Sequence, residues 1–571
     1  MDTSGKTNAV NAVNAPMDEI TTVPRLQSSP DIELVALSET APPLEPEQPR
    51  NKFRLTAILT ALYLAMFVSA LDQTIVATAV PTITNDLNSA SGYVWIGGAY
   101  LLSSAASGPI WAKLSDIFGR KPIILTAAGL FFASSLVCAK ASSMKMLIVG
   151  RAFQGVGGGG LGPLVMITIS DLFSMRSRSL YMGLMELVWI VAGGVGPVLG
   201  GAFTEKLSWR WNFWINLPLS GAAFILLFIY LDVHNPRTPW LDGFKAIDWA
   251  GSLSIIALVL MLLLGLEFGG ATFPWDSPQV ICLIVFGSLM SIFFIYSEKR
   301  LALYPLMPME LFTDWSNAAS LLLKFLHGMV YIAAEYYLPL YFQSVKGSSP
   351  LGSGLLVMPI TVTEAIGGVL VGVIIHRTGR YLEIIYVGVL LMTLGNGLYI
   401  LFSPKSSLVE IIFIQIVAGT GAGLLFQAPL IALQARVSQE NTATATGTSM
   451  FVNHLANALS VVIGGVVFQN FMDIRVSSLA LPPTNLPSNI TDLLSAGGAA
   501  ANVMLINAIQ DQTQRSAVRE AYAWSLRNMW ILYTGISAMA VVTSVFIKKH
   551  HLTKDHTETK TGLKSTSQDL T

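Results

Sequence analysis

The chain has 571 residues, of which 53% are hydrophobic and only 12% are charged, and its formal net charge is zero. Soluble domains carry roughly 25% charged residues, so this composition predicts a membrane protein with many spans rather than a large soluble core. The zero net charge gives no reason to expect a nucleic acid as a partner. Cys138 and Cys282 lie in apolar stretches, so neither a disulfide framework nor a cysteine metal site is expected.

Polar sequence rich in Ser, Thr and Pro at residues 1–53 and 548–571 is typical of disordered tails. Between the tails the chain contains fourteen apolar stretches of about the 20 residues that are needed to cross a bilayer. These candidate spans lie near 55–79, 93–112, 122–140, 146–169, 180–203, 212–231, 249–268, 279–297, 317–340, 354–375, 382–402, 408–430, 447–470 and 526–547.

The orientation follows from the short loops, because Lys and Arg accumulate on the cytoplasmic side of a membrane. With the N-terminus inside, the inner loops hold about twice as many of these residues as the short outer loops. Both termini are therefore expected in the cytoplasm. The long loop 471–525 then lies outside, and it contains a sequon at Asn489, which is a candidate glycosylation site.

Two segments of the chain resemble each other. Residues 112–120 follow the second span and residues 372–380 follow the tenth, and the two align without gaps and end in Gly-Arg. Repeated groups of spans around a central site are common in secondary transporters. Spans seven and eight match neither half. The sequence therefore predicts two six-helix bundles, 54–232 and 315–547, with two further helices inserted between them at 233–314.

A run of nine residues around Gly196 contains five glycines and a proline inside the fifth span. Such residues are poor helix formers, but they suit a helix against which a neighbour packs with almost no side chain between. Gly196 and Gly200 share one face, and Pro197 favours a kink. Gly368 and Gly372 repeat the same spacing in span ten, which we expect to pack against that face. The contact is either a sliding one or a static one.

Four motifs occur in order along the chain. They are Leu71–Pro81 in span one, the loop Leu114–Lys121, the segment Arg151–Gly155 in span four, and Gly183 with Gly196-Pro197 and Gly200-Gly201 in span five. With these motifs and Trp209–Pro218, the sequence resembles the major facilitator superfamily over about residues 55–547. Within it, the chain is most similar to fourteen-span drug:proton antiporters, and to fungal toxin and multidrug efflux pumps. The resemblance implies an all-α polytopic membrane protein with two six-helix bundles and two inserted helices.

The resemblance also implies a proton-coupled antiporter in the plasma membrane that exports apolar or amphiphilic small molecules by alternating access. A vacuolar carrier of basic amino acids is an alternative on the same fold, and a non-transporting membrane sensor is another. The chain has no GxxxxGK[ST] phosphate loop and no metal-ligand or nucleophile–base constellation. Neither an ATP-driven pump nor an enzyme is therefore expected, and no cofactor. We expect a monomer in the lipid bilayer, with protons and a small molecule as its partners.

Two charged residues lie in the outer halves of their spans, Asp72 in span one and Arg151 in span four. A charge in the membrane costs a few kcal/mol unless it is paired or hydrated, so the two are predicted to pair. Motifs similar to the one around Arg151 are assigned a role in proton coupling, and Arg151 would then adjust the proton affinity of Asp72. The alternatives are an arginine that reaches the outer surface and an aspartate that caps a helix end.

The loop after span two carries Asp116, Gly119, Arg120 and Lys121. The glycine permits a tight turn, and the charges are predicted to form a latch that holds the cytoplasmic ends of the bundles together in one state. The same positive charges also orient the protein in the membrane.

Several polar or aromatic residues within the spans are candidates to line a substrate cavity. They are Gln154, Glu186, Glu335, Glu364 and Tyr336. Lys324 and His327 in span nine are candidates to pair with one of these acids, although the sequence does not indicate which. For the aromatic residue the alternative is contact with lipid or with another helix.

Overall fold

The structure is a computed structural model that describes residues 52–87, 92–269, 273–479, 486–495, 499–500, 502–503, 506, 509–554 and 562. Each of the fourteen predicted spans coincides with a long helix. These helices are α1 Lys52–Ala77, α2 Gly92–Phe118, α3 Arg120–Ala139, α4 Met144–Leu172, α5 Met175–Lys206, α6 Asn216–Tyr230, α7 Trp249–Phe268, α8 Pro278–Arg300, α9 Trp315–Ser344, α10 Pro350–Thr378, α11 Leu382–Tyr399, α12 Leu408–Leu425, α13 Thr442–Leu479 and α14 Gln512–Ser544. Shorter helical segments lie at Val80–Asp86, Trp211–Trp214, Trp240–Ala246, Glu310–Thr313, Ala428–Gln434, Gln439–Asn441 and Ser488–Leu494.

Twelve helical segments within the described residues are long and apolar enough to cross a membrane. The other two long helices, α2 and α14, have 27 and 33 residues but are less apolar. In α2 part of this polarity faces another helix, because the Ser107 hydroxyl donates to the Val156 carbonyl of α4 at 3.3 Å. The predicted all-α, multi-span architecture is therefore confirmed.

The start of α1 and the end of α14 lie on the same side of the helices, which we call the termini face. The first residue of α1, Lys52, lies on this side, as do the residues that follow α14. There the Lys548 amide donates to the Ser316 hydroxyl at the start of α9, at 3.0 Å. The opposite side carries the connection between α13 and α14, and we call it the loop face.

Glycines bring helices close together at corresponding places in the two bundles, α1–α6 and α9–α14. A Cβ atom at Gly157 of α4 would lie 2.8 Å from the Phe131 backbone nitrogen of α3. In the second bundle, a Cβ atom at Gly421 of α12 would lie 2.6 Å from the Leu391 carbonyl carbon of α11. Because backbone packs directly on backbone at these points, only glycine fits there.

The inserted helices α7 and α8 pack on each other and on the seam between the bundles. A Cβ atom at Gly287 of α8 would lie 2.9 Å from the side chain of Leu262 of α7. Ile255 of α7 belongs to the same buried cluster as Ala105 of α2 and Phe451 of α13. The pair therefore covers one side of the line along which α2 and α13 meet.

Two helices extend further on the loop face than their predicted spans. α13 continues to Leu479 and α14 begins at Gln512, so the connection between them is shorter than the predicted loop 471–525. The extensions pack together, because Met472 and Tyr522 are fully buried in one cluster. Residues 1–51 and most of 555–571 lie outside the described part of the chain, as does the side chain of the sequon residue Asn489.

Candidate functional site

A buried ion pair joins α1 to α4. Arg151 Nη1 donates to Asp72 Oδ2 at 2.5 Å, and the side chains of Arg151 and Asp72 are 2% and 0% exposed. The other carboxylate oxygen of Asp72 accepts hydrogen bonds from Gln154 Nε2 at 2.8 Å and from Asn216 Nδ2 at 2.7 Å. Both oxygens are therefore occupied by donors, and three helices of the first bundle meet at one aspartate.

Arg151 makes further contacts within the first bundle. Its Nε donates to the Ile96 carbonyl at 2.9 Å, and its guanidinium lies 4.5 Å from the centre of the Tyr100 ring. This enclosure places Arg151 among the helices of its bundle and not at the outer surface. Gln154 also donates to Ser135 at 2.9 Å, so this predicted cavity residue is part of the buried network. Asn216 stands in the motif Trp209–Pro218, but its sequence did not indicate this contact.

The acids of spans five, nine and ten converge between the two bundles. The carboxyl groups of Glu335 and Glu364 lie close enough together to interact with each other. Glu186 from α5 accepts a hydrogen bond from Gln427 Nε2 at 2.7 Å, across the bundle interface. The Oε1 atom of Glu364 is buried and has no hydrogen-bond partner among the described residues. Three of the five predicted cavity residues therefore lie in one region.

Lys324 and His327 lie beside this region on the same face of α9. Lys324 Nζ donates to the Phe426 carbonyl at 3.1 Å, and its charge interacts with that of Glu186. The Nε2 atom of His327 lies 3.0 Å from the Ala422 carbonyl, to which it must donate. The acid that faces Lys324 is therefore Glu186, from the opposite bundle.

Tyr336 occupies a different position from the acids. It is 56% exposed, and its ring makes an edge contact with Tyr337 at 5.0 Å. Its neighbour Glu335 is only partly exposed and contacts Glu364. Adjacent residues on a helix point about 100° apart, so Tyr336 and Glu335 do not face the same space.

The predicted latch residues lie at the termini face. Arg120, which is 1% exposed, donates to Asp116 and to Asp171, both at 2.6 Å. Gly119 has a φ of +95°, which favours glycine, and it makes the tight turn between α2 and α3. Lys121 points away from this cluster, with its ammonium 5.7 Å from the centre of the Phe228 ring. The sequence does not indicate the role of Asp171, since a single acid at a helix end carries no distinctive pattern.

Hydrogen bonds join the two bundles near the termini face. They connect Thr444 to Asp116 (3.2 Å), Arg178 to Gln434 (3.2 Å), Gln434 to Ser170 (3.2 Å), Arg176 to the Thr378 carbonyl (3.2 Å) and Ser179 to the Gly372 carbonyl (3.3 Å). The protein is therefore closed at this face.

The glycines of α5 do not all meet α10, the helix that their spacing predicts as their partner. Gly183 packs against α10, where a Cβ atom would lie 2.8 Å from the Gly368 carbonyl oxygen. Gly196 and Gly200 face α1, where a side chain would overlap Thr74 or Ile75. The expected packing of span ten on the Gly196 face is therefore wrong.

The other two residues of the motif, Gly201 and Pro197, do not lie at such close contacts. A Cβ atom at Gly201 would meet nothing within 4 Å, and Pro197 is exposed within α5. The fifth span thus uses one glycine face for the opposite bundle near the termini face. It uses a second glycine face for its own bundle nearer the loop face. The four-residue spacing of Gly196 and Gly200 is the same as that of Gly368 and Gly372, so the spacing alone does not indicate whether the partner is α1 or α10.

A second motif secures the loop face of the first bundle. The indole N–H of Trp209 and the guanidinium of Arg210 donate to Asp86 Oδ2 at 2.9 and 3.3 Å. These hydrogen bonds, that from Trp209 above all, hold the pKa of Asp86 below its usual value. Arg210 also donates to the Ala141 carbonyl at 3.0 Å, so the motif ties three connections together.

The sequence match to known proteins agrees with this architecture. Residues 62–461 match the family described as Major Facilitator Superfamily. The chain belongs to the major facilitator superfamily. It is accordingly a multi-pass membrane transporter, as its motifs and helices indicate, and it handles small molecules.

Several fungal proteins of this superfamily are similar over most of their length. The efflux pump dotC of Dothistroma septosporum is 46% identical over 512 residues, which are 90% of this chain and 87% of that protein. The MFS-type transporter ppz2 of Metarhizium majus is 45% identical, over 90% of this chain and 88% of that protein. The MFS-type efflux pump LUC4 of a Fusarium species is 34% identical, over 95% and 96%.

Solved structures share the fold at low sequence identity. The human organic anion transporter MFSD10 is 15% identical with a TM-score of 0.54, and the match covers 87% of this chain and 100% of that one. The proton:xylose symporter XylE is 14% identical with a TM-score of 0.53, over 83% and 99%. These likenesses concern the arrangement of helices alone.

Proposed function

We propose that the protein exports apolar or amphiphilic small molecules across the plasma membrane in exchange for protons. The relatives named as efflux pumps support the direction of transport, because they match about nine-tenths of the chain. Both termini lie in the cytoplasm in this proposal. The termini face is then cytoplasmic, and the structure corresponds to the state closed on that side.

The contact between Glu335 and Glu364 carries the proposal of proton coupling. Two ionised carboxylates repel each other strongly where water is scarce, so such a pair is most stable when it shares one proton. Glu335 lies on α9 and Glu364 on α10, within the membrane part of the second bundle. The pair therefore has the chemistry to take up a proton in one state and to release it in the other.

The ion pair of Asp72 and Arg151 is the second element of the proposed coupling. Both oxygens of Asp72 accept hydrogen bonds, so a proton that binds there must displace a donor. Protonation would release Arg151 and loosen the contact between α1 and α4. We therefore assign Asp72 a gating role and the glutamate pair the role of carrier.

Alternating access requires that contacts between the bundles break on one side. The small residues at Gly183 and Gly368 let α5 and α10 rock against each other. The hydrogen bonds of Asp116 and of Gln434 across the termini face stabilise the closed state. When they break, the acids between the bundles become accessible from the cytoplasm.

The proposal is tested by uptake into inverted membrane vesicles with an imposed acidic interior. The compounds are several apolar dyes or toxins, with lysine, arginine and histidine beside them. Accumulation of the apolar compounds that collapses with an uncoupler is the expected result. Vesicles from cells without the protein provide the background.

The same panel separates the alternatives. Uptake of the basic amino acids alone would contradict export of apolar compounds and favour a vacuolar carrier, with Glu186, Glu335 and Glu364 as its candidate cation-binding acids. Binding of compounds without any flux would contradict transport and favour a sensor.

A further inference from the structure

Lys324 is a buried lysine, and the acid whose charge interacts with it, Glu186, belongs to the other bundle. The residue is 6% exposed, and within the described part of the chain its ammonium donates one hydrogen bond, to the Phe426 carbonyl at 3.1 Å. Its charge interacts with that of Glu186 on α5, whereas Lys324 lies on α9. The two charges therefore separate whenever the bundles move apart at the termini face.

Two hydrogen-bond acceptors beside Lys324 are unused. The Nδ1 atom of His327 and the Oε1 atom of Gln427 are buried and have no hydrogen-bond partner among the described residues. Nε2 of His327 donates to a carbonyl, so Nδ1 of the neutral ring is an acceptor. Buried polar atoms are normally satisfied, so both acceptors are available to a polar group that enters this place.

Aromatic rings surround the same place. The ring of Phe426 lies 5.0 Å from His327 and 5.1 Å from Tyr331, and the rings of His327 and Tyr331 stack at 5.4 Å. Phe426 also directly precedes Gln427 and faces the ammonium of Lys324 at 5.8 Å. A cation, two acceptors and three rings thus meet at one point of the interface.

We propose that Lys324 binds the acidic group of an aromatic amphiphilic substrate when the termini face is open. The acidic group is a phenolate, an enolate or a carboxylate, and this inference rests on the proposed export function. An ammonium that loses its counter-ion inside the protein attracts another anion strongly, because an unpaired buried charge is costly. His327 and Gln427 then accept hydrogen bonds from hydroxyl groups of the substrate.

Glu186 completes the cycle by displacement. When the termini face closes, Glu186 returns to Gln427 and to the charge of Lys324, and it competes with the acidic group of the substrate. Binding of the substrate is thereby weakened in the state that releases it.

The test uses two dyes that share a xanthene core, anionic fluorescein and cationic rhodamine 6G, in inverted vesicles that contain the full chain. Lys324→Gln should raise the KM for fluorescein about tenfold or more, since a charge-assisted contact is lost, and should not raise the KM for rhodamine 6G. Lys324→Arg should keep most fluorescein uptake. Glu186→Gln, which removes the competitor, should lower both the KM and the maximal rate for fluorescein.

Lys346→Gln is the matched control, because Lys346 also donates to backbone carbonyls of the second bundle but lies at the loop face, against Pro404 and Ser406. It should transport both dyes like the wild type. Uptake of rhodamine 6G but not fluorescein by the wild type would overturn the inference, and so would equal effects of Lys324→Gln on the two dyes. If Lys324→Gln does not fold, an unchanged KM in Glu186→Gln overturns it. If no compound accumulates in a gradient-dependent way, the proposed function fails as well.

Discussion

Gly183 of α5 and Gly368 of α10 meet without a side chain between them, so that a Cβ atom at Gly183 would lie 2.8 Å from the Gly368 carbonyl oxygen. The contact belongs to the interface between the bundles, next to the hydrogen bond from Ser179 to the Gly372 carbonyl. The backbone carbonyl cannot move aside as a flexible side chain can. This contact therefore sets how closely the bundles approach at the termini face.

A larger residue at this point should keep the termini face from closing. We expect Gly183→Val to reduce transport by about tenfold or more, because overpacking costs roughly 1–3 kcal/mol in the closed state alone. Gly193→Val on the same helix should have little effect, since a Cβ atom at Gly193 meets nothing within 4 Å. Transport rates of both variants, normalised to the amount of protein in the membrane, check the prediction. Equal rates would show that this contact does not limit closure.

Removal of one acid of the glutamate pair should uncouple transport from the proton gradient. In Glu364→Gln the shared proton has no second carboxylate, so accumulation should fall to the level seen with an uncoupler, while downhill movement of substrate continues. Glu383→Gln is the control, because that acid is exposed at the termini face and pairs with Lys549 at 3.7 Å. Gradient-driven accumulation at the wild-type level in Glu364→Gln would exclude this residue as the carrier.

The helices could be predicted from the sequence because each apolar stretch of sufficient length must bury its backbone groups in hydrogen bonds within itself. The pairing of Asp72 with Arg151 could be predicted because an unpaired charge in the membrane is costly. Two opposite charges at similar depth in the bilayer stabilise each other. The helix that packs against Gly196 could not be predicted, because the spacing of Gly196 and Gly200 suits any helix that approaches closely. Its true neighbour, α1, is determined by the packing of the whole bundle.

Contacts between distant helices were the least predictable part of the site. Glu335 and Glu364 were each recognised as acids in the membrane, but their contact depends on how α9 and α10 cross. The sequence does not reveal the contacts of Asp171 and Asn216 either, because the partner of each lies far away in the sequence. Local sequence patterns describe one helix at a time, whereas these contacts depend on how two helices are rotated relative to each other.

The ion pair of the first bundle should be needed for stability as well as for coupling. Asp72→Asn leaves the guanidinium of Arg151 buried without its counter-ion, which costs on the order of 3–5 kcal/mol. We expect a lower melting temperature in detergent and the loss of gradient-driven transport. The double variant Asp72→Asn with Arg151→Gln should recover part of the thermal stability but not the transport. Full gradient-driven transport in Asp72→Asn would contradict the gating role of Asp72.

The latch at the termini face should affect transport more than folding. In Asp116→Ala the hydrogen bond from Thr444 is lost, but Arg120 keeps its 2.6 Å contact with Asp171, so the arginine remains paired. We expect normal membrane insertion and transport reduced by about tenfold, since a hydrogen bond to a charged group contributes roughly 1.5–3 kcal/mol to the closed state. Thr444→Val should act in the same direction. Asp171→Ala removes a contact within one bundle, so it should lower the melting temperature instead. Normal transport in Asp116→Ala, measured beside its expression level, would refute the latch.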